Sequence, residues 1–373
     1  MSAANIGNLG IKELYSLRRD TMLVVLVVYA FTLAIYTISR SAPETLNKAP
    51  ISIVDLDRSQ LSTRIVDAFF PPRFAAPVRI TPAEMDTRMD QGVDTFALNI
   101  PPDFQRDVLA KRNPRLQLNV DATRIGQAFT GSGYVQIIVD GEIDAFLQGH
   151  RSGGAQPVDL DLRSRFNPQL YKPWFAAVIA LIDQITILSV VLTGAALIRE
   201  REHGTIEHLL VMPVTPFEIM ASKVWAMGLV VVSAAALSLI FVVHLVLAVP
   251  IEGSIALFLA ATALHLFATT SMGIFLATFA RTMPQFGLLL MLVLLPMLML
   301  SGGVTPRESM PEFVQFVMLG APTTHFVAAA KSILFRGSGF SIVWPEFLAL
   351  AVIGTALFVP SLTRFRKTIG TMA

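Results

Sequence analysis

Apolar runs of membrane-spanning length constrain this chain more than any other feature of its sequence. A helix needs about 20 mainly apolar residues to cross the roughly 30 Å hydrocarbon core of a bilayer. The candidate runs are residues 22–38, 174–198, 224–249, 255–280, 286–300 and 344–362. They leave little room for charge, which amounts to 15% of the 373 residues, against about 25% in soluble domains. The sequence therefore predicts a mainly helical membrane protein with six transmembrane helices.

The first run follows a basic segment, so a cleaved signal peptide is one interpretation of it. Its apolar core is longer than the roughly 7–15 residues of a signal sequence, and we therefore predict an uncleaved first span. Residues 5–19 place apolar side chains on one arc, with Lys12 and Arg19 on the opposite stripe. This pattern predicts a helix that lies at the membrane surface, although a plain basic flank fits the same residues.

Residues 41–172 are too polar to span a membrane and form a separate predicted domain. Strand-like segments at 51–54, 78–80, 96–100 and 116–120 alternate with helical segments at 59–70, 82–91, 103–110 and 133–147. Such alternation predicts a small α/β domain, with residues 157–166 as a strand that returns the chain to the membrane. Residues 126–132 have the glycine spacing of a phosphate-binding loop but lack its lysine, so we expect no ATP binding by this chain.

Residues 313–336, between the last two runs, are apolar enough to suggest a seventh span. Gly320 and Pro322 interrupt the segment near its middle, and Lys331 lies in its second half. If the chain crosses the membrane six times, most basic residues near the spans lie on the same side. The positive-inside rule expects such residues on the cytoplasmic side. These residues are Lys12, Arg18, Arg19, Arg199, Arg201, Lys223, Arg281, Arg364, Arg366 and Lys367. We therefore predict a re-entrant helical hairpin at 313–336, with both termini cytoplasmic and residues 41–172 outside.

A dense group of charges at residues 199–213 separates the second run from the third. It cannot lie in hydrocarbon and must sit at a membrane face. Gly204 is suited to end the preceding helix, and Thr205 to cap a short new helix with Glu207 in its first turn. Pro213 then closes that helix. The pattern predicts a short, charged helix between two spans, a shape suited to docking on a soluble partner.

The order of residues from Glu200 to Pro213 resembles the signature of ABC-2 type transporter permeases. It reads Glu-x-Glu-x-Gly-Thr-x-Glu-x-Leu-Leu-x-x-Pro, and the match continues to Lys223. In that family this stretch is the coupling helix, which contacts a separate ATP-binding subunit. The resemblance thus implies ATPase-coupling roles for Arg199, Glu200, Arg201, Glu202, Gly204, Thr205, Glu207, His208, Leu209 and Leu210.

The resemblance is strongest to drug-exporter-like permeases of the bacterial inner membrane, and it organises the whole chain. It implies an interfacial helix and first span at 1–40, a periplasmic α/β domain at 41–172, and a five-helix membrane region at 173–373. The coupling helix at 199–213 and the re-entrant segment at 313–336 belong to that last region. The implied function is the permease subunit of an ATP-driven exporter of a hydrophobic or amphipathic substrate.

The expected partners follow from the same resemblance. An ABC ATP-binding subunit holds the ATP and Mg²⁺, so this chain is not itself an enzyme and needs no cofactor. A second permease subunit, identical or different, completes the pathway within the membrane lipid, and a periplasmic adaptor is an expected contact of the outer domain. A net charge of +2 gives no indication of a nucleic-acid partner.

Three polar residues in the apolar regions are candidates for the transport pathway: Asp183, Gln184 and His325. A carboxylate deep in a span costs about 2.5–3.5 kcal/mol on insertion scales, so Asp183 should face a partner, water or a substrate. A protonated or hydrogen-bonded structural carboxyl at the dimer seam is the alternative. His244 and His265 are further hydrogen-bonding candidates. The chain has no cysteine and no two histidines at i, i+4 spacing, so no metal site is expected.

A membrane-anchored periplasmic receptor or scaffold without transport activity is the alternative function. It accounts for the large outer domain, but it leaves the charged helix at 199–213 and the broken segment at 313–336 without a role. The sequence indicates neither the substrate nor whether the two permease subunits are identical.

Overall fold

The structure is a computed structural model that describes residues 2–41, 48–112, 114–121, 125–147, 172–202, 214–305 and 307–370. It separates into two compact units. Met1–Ala42 and Ser164–Ala373 form a helical unit, and Pro43–Arg163 form an α/β unit.

The regular elements are numbered here in chain order. The helices are α1 (Ala3–Arg19), α2 (Thr21–Ser41), α3 (Gln60–Asp67), α4 (Pro82–Asp90), α5 (Phe104–Leu109), α6 (Ile125–Leu147), α7 (Lys172–Glu202), α8 (Pro216–Val246), α9 (Ile255–Phe279), α10 (Met283–Met299), α11 (Glu312–Met318), α12 (Pro322–Leu334) and α13 (Phe340–Gly370). The strands are β1 (Ile51–Asp55), β2 (Val78–Arg79), β3 (Phe96–Ile100) and β4 (Gln117–Val120). Short π-helical stretches lie within α2 at Ala30–Ala34 and at the end of α8 at Ser238–Val246.

The helical unit confirms a mainly helical membrane protein. Within the described ranges, five helices are long and apolar enough to cross a bilayer: α2, α7, α8, α9 and α13. The pair α11 and α12 counts as a sixth span only if it is one broken helix, because its two parts are bent by 87°. The break falls at the predicted interruption around Pro322. Helix α10 is a shorter apolar helix, so the number of spans and the re-entrant interpretation stay predictions.

Helices α7 and α9 form the centre of the helical unit. They approach so closely that a Cβ atom added to Gly273 would lie 2.7 Å from the carbonyl oxygen of Val190. Small residues allow such approach in membrane proteins, where helix association depends on van der Waals contact and hydrogen bonds. A hydroxyl pair also crosses this interface, as Ser189 Oγ donates to Thr269 Oγ1 at 2.7 Å.

The α/β unit contains one four-stranded sheet in the order β2-β1-β3-β4. Strand β1 pairs in parallel with β2 and β3, whereas β3 and β4 are antiparallel. Parallel neighbours need crossover connections, which α3 and α4 provide. A buried cluster of Ile53, Phe96, Leu61 and Val135 joins the sheet to α3 and α6.

The structure corrects the predicted start of α6. We predicted a helix from Gly133, but it begins at Ile125 and includes the glycine-rich residues 126–132. Gly131 lies against the ring of Phe96, where an added Cβ atom would clash. This glycine therefore permits close helix–sheet packing and does not belong to a loop. The predicted returning strand at 157–166 lies outside the described residues.

Candidate functional site

The predicted coupling helix at residues 199–213 is called the coupling segment below. The structure describes its first four residues and the two helices that hold it. Helix α7 ends at Glu202 and α8 begins at Pro216. Arg199, Glu200 and Arg201 lie with Glu202 in the last turn of α7. The other predicted coupling residues, Gly204, Thr205, Glu207, His208, Leu209 and Leu210, lie outside the described residues. The site can therefore be built from the helices on which this segment is mounted.

A buried lysine on α8 connects three helices at this end of the helical unit. Lys223 is 1% exposed, and its Nζ lies 2.9 Å from Glu13 Oε1 on α1 and 2.8 Å from Glu200 Oε2 on α7. Lys12 Nζ lies 3.4 Å from the other carboxylate oxygen of Glu200. We call Lys12, Glu13, Glu200 and Lys223 the Lys223 cluster. Its two positive and two negative charges balance, which buried ions require.

The other charged residues at the end of α7 each contact a different element. Arg199 forms an ion pair with Asp20, which joins α1 to α2. Arg201 Nη1 donates to the carbonyl oxygen of Ala280, just beyond α9, at 2.6 Å. Glu202 Oε1 accepts from the backbone N–H of Met283, at the start of α10, at 2.9 Å. Successive residues of a helix point about 100° apart, so one turn of α7 reaches elements on several sides.

Helix α1 lies along the start of α8. The Glu218 carboxylate accepts from the backbone N–H groups of Thr215 and Ser2, both at 2.7 Å. The first of these bonds is half of a capping box that fixes where α8 begins. Further along, Trp225 Nε1 donates to the carbonyl oxygen of Ile6 at 3.1 Å. The indole ring lies directly against Gly10, where a larger side chain would clash.

Sequence reasoning missed several of these residues. Glu13 gave no signal, because the sequence does not show that its side chain is buried. Trp225 was counted only as part of a span. Thr215 and Glu218 had a detectable signal, because Thr-x-x-Glu before an apolar run is a capping box.

The structure does not bring the three predicted pathway residues together through any contact between described residues. Asp183 lies on α7, and its Oδ1 is buried without a hydrogen-bond partner among the described residues. Gln184 follows it on the same partly buried face. His325 lies on α12, where its Nδ1 is 2.5 Å from Glu346 Oε2 on α13 and its Nε2 is 3.0 Å from the carbonyl oxygen of Leu319.

The other two described histidines of the helical unit, His265 and His244, are hydrogen-bonded. His265 Nε2 lies 2.9 Å from Thr186 Oγ1, and its ring stacks on Phe326 with the centroids 4.2 Å apart. His244 Nδ1 lies 3.1 Å from the carbonyl oxygen of Val249. Of the described His, Asp and Glu side chains, no three are placed to hold a metal ion.

Comparison with known proteins shows similarity along nearly the whole chain. A family model described as "ABC-2 family transporter protein" matches residues 20–362. The chain is 60% identical over 369 residues to the inner membrane transport permease YhhJ of Escherichia coli (strain K12), covering 99% of each chain. It is 26% identical over 362 residues to the probable multidrug ABC transporter permease YbhR of the same organism, covering 96% of this chain and 97% of that one. With YbhS, also a probable multidrug ABC transporter permease, it shares 27% identity over 276 residues, or 72% of this chain and 71% of that one.

Proposed function

Because this chain belongs to the ABC-2 transporter family and is a permease subunit of the inner membrane, we propose that it couples ATP hydrolysis in a separate subunit to export. Membership of the family implies an ABC ATP-binding partner. Beyond family membership, we propose that transport is outward, that residues 199–213 couple the permease to the ATP-binding subunit, and that the substrate is hydrophobic or amphipathic. The proposal also places both termini and the coupling segment in the cytoplasm and the α/β unit in the periplasm.

The observation that carries this proposal is the attachment of both ends of the coupling segment to several helices. The Lys223 cluster joins α7 and α8 to α1, and Arg199 joins α7 to the α1–α2 junction. Arg201 contacts Ala280 just beyond the end of α9, and Glu202 contacts Met283 at the start of α10. A displacement of residues 203–213 would therefore be transmitted to several membrane helices together.

The proposed mechanism uses this attachment as the coupling element. A partner can shift a conformational equilibrium only by contacting its two states differently. In the proposal, the ATP-binding subunit contacts residues 203–213 differently with and without ATP, with Leu209 and Leu210 as buried anchors and Glu207 as a charged contact. The resulting movement of α7 and α8 rearranges the bundle by rigid-body displacement, a common form of switching.

The pathway and the remaining partners are part of the same proposal. Asp183, Gln184 and His325 are the candidate residues of the pathway, which a second permease subunit would complete. Two relatives are named probable multidrug ABC transporter permeases, which supports a hydrophobic or amphipathic substrate. The α/β unit is the surface that a periplasmic adaptor would contact.

The test compares a charge reversal in the coupling segment with the same change elsewhere. Glu207→Lys should reduce both recovery of the native ATP-binding partner with the tagged permease and substrate-stimulated ATP hydrolysis in nanodiscs. A reversed charge opposite a complementary partner costs up to several kcal/mol, roughly a hundredfold or more in affinity. The control is Asp86→Lys, on the exposed side of α4, which should change neither measurement.

Two outcomes would contradict the proposal. If Glu207→Lys retains both partner recovery and stimulated hydrolysis, residues 199–213 are not the coupling element. If the native permease recovers no ATP-binding protein at all, the receptor or scaffold function explains the chain better.

A further inference from the structure

The carboxyl group of Asp183 is placed unlike any other acid in the described helical unit. It lies within α7, the helix that also carries the Lys223 cluster at its end. The acids of that cluster have basic partners within 3.4 Å, and Glu346 pairs with His325. Asp183 has no ion pair within the described part of the chain, and its Oδ1 is buried without a hydrogen bond.

The surroundings of Asp183 are apolar on both sides along the helix. Ile179, one turn earlier, lies next to Gly303. Ile187, one turn later, packs against a cluster that includes Leu294 and Met297 of α10. Asp183, Gln184, Ile187 and Val191 are partly exposed, whereas most other residues in the middle of α7 are buried. Asp183 therefore lies on a partly exposed stripe of the spanning helix α7, with its Oδ1 buried and an isoleucine one turn away on each side.

A carboxylate at such a position requires a positive partner, because an isolated charge is costly to keep in apolar surroundings. The described side chains do not provide that partner. Methionine-containing apolar surfaces adapt to ligands of different shape. A ligand that combines an apolar body with one positive charge satisfies both features, whereas a hydrophobic anion satisfies only the apolar one and a strongly polar cation only the charge.

We propose that Asp183 is the binding site for the positive charge of a hydrophobic organic cation, and that such cations are the substrate class of this permease. The proposal rests on the proposed export function for its physiological meaning, although the binding itself does not depend on transport. Gln184, the adjacent amide, contributes a polar group to the same stripe. The carboxylate provides the charge, and Ile187 with the α10 side chains provides the apolar contact.

Direct binding tests the inference with tetraphenylphosphonium as the probe and tetraphenylborate as an anion of the same shape. The full-length permease in nanodiscs should bind labelled tetraphenylphosphonium saturably, whereas labelled tetraphenylborate, measured in a separate sample because the two ions pair with each other, should not bind saturably at the protein site. Asp183→Asn should weaken the binding at least tenfold, and Asp183→Glu should retain most of it. Glu252→Gln, in the turn between α8 and α9, removes an exposed carboxylate and should leave binding unchanged.

The outcomes separate this inference from the export function. Equal binding of the cation and the anion, or unchanged cation binding by Asp183→Asn, would overturn the cation site, as would an absence of saturable cation binding by the native protein. If the cation site were overturned in one of these ways, stimulation of the partner's ATP hydrolysis by neutral compounds would still support export. Conversely, Asp183-dependent cation binding without any stimulation of ATP hydrolysis would support the site and count against the exporter.

Discussion

Replacement of Lys223 with methionine should destabilise the permease far more than the same replacement of Lys12. Methionine has a similar length but no charge, so the change removes one ammonium group from beside two carboxylates at 2.9 and 2.8 Å. Glu13 is only 7% exposed, so its charge would remain buried after the substitution. Removal of one partner from a buried ion pair costs about 3–5 kcal/mol, because the other charge is left uncompensated.

Lys12 provides the matched control within the same cluster. Its side chain is 54% exposed and lies 3.4 Å from Glu200. Exposed ion pairs contribute at most about 1 kcal/mol, because water screens both charges and the long side chains lose entropy. Lys12→Met should therefore lower the stability only slightly, although the chemical change is identical.

A double substitution tests whether the cost comes from the buried carboxylates. Glu13→Gln removes one of the two acids, and in combination with Lys223→Met it leaves Glu200 with Lys12. The double variant should therefore lose less stability than the sum of the two single variants, with an interaction energy of about 0.5–3 kcal/mol. Additive losses would show that the charges of Glu13 and Lys223 do not depend on each other.

The assay is thermal unfolding of the purified permease in nanodiscs, followed by tryptophan fluorescence. Trp225 reports on this region because its indole donates to α1. Lys223→Met should lower the unfolding temperature and weaken recovery of the ATP-binding partner, because α8 loses its ion pairs with Glu13 of α1 and Glu200 of α7. Equal effects of Lys223→Met and Lys12→Met would refute the reasoning, because burial would then not determine the cost.

Two further predictions concern packing and topology. Gly273→Leu should prevent stable insertion, because an added Cβ would already meet the backbone of Val190. Gly287→Leu should be tolerated, since nothing lies within 4 Å of its added Cβ. The measurement for both is the yield of monodisperse protein. In the naturally cysteine-free chain, a cysteine at Ser309 should react with an impermeant maleimide from outside the inner membrane, and one at Thr368 should not. Outside labelling at Thr368 would require a seventh span.

Local sequence patterns predicted the individual elements well. Strand-like segments at 51–54 and 96–100 and an alternating one at 116–120 predicted β1, β3 and β4, and Pro322 predicted the break between α11 and α12. These features depend on residues close together in the chain. The predicted start of α6 was wrong because a local pattern treats Gly131 as a loop residue. In the structure Gly131 lies within the helix and packs against Phe96, on a strand far away in the sequence.

The attachment of the coupling segment could not be predicted in this way. The partners Glu13 and Lys223 are 210 residues apart, and neither a charge in a surface helix nor a lysine near a span end indicates the other. Arg199 to Glu202 were predicted to contact an ATP-binding subunit. The structure gives each of them contacts within the permease, and contact with the partner stays a prediction.

The contacts of the last turn of α7 also fix how many residues this helix can contain. Adding one residue between Asp183 and Arg199 would rotate the end of the helix by about 100° and advance it by about 1.5 Å. Arg199, Glu200, Arg201 and Glu202 would then all face the wrong elements at once, and no single compensating substitution could restore them. Changes of side chain in the middle of α7 can be absorbed one at a time. Changes of length cannot, so insertions and deletions accepted during divergence should fall in the connections and spare this helix.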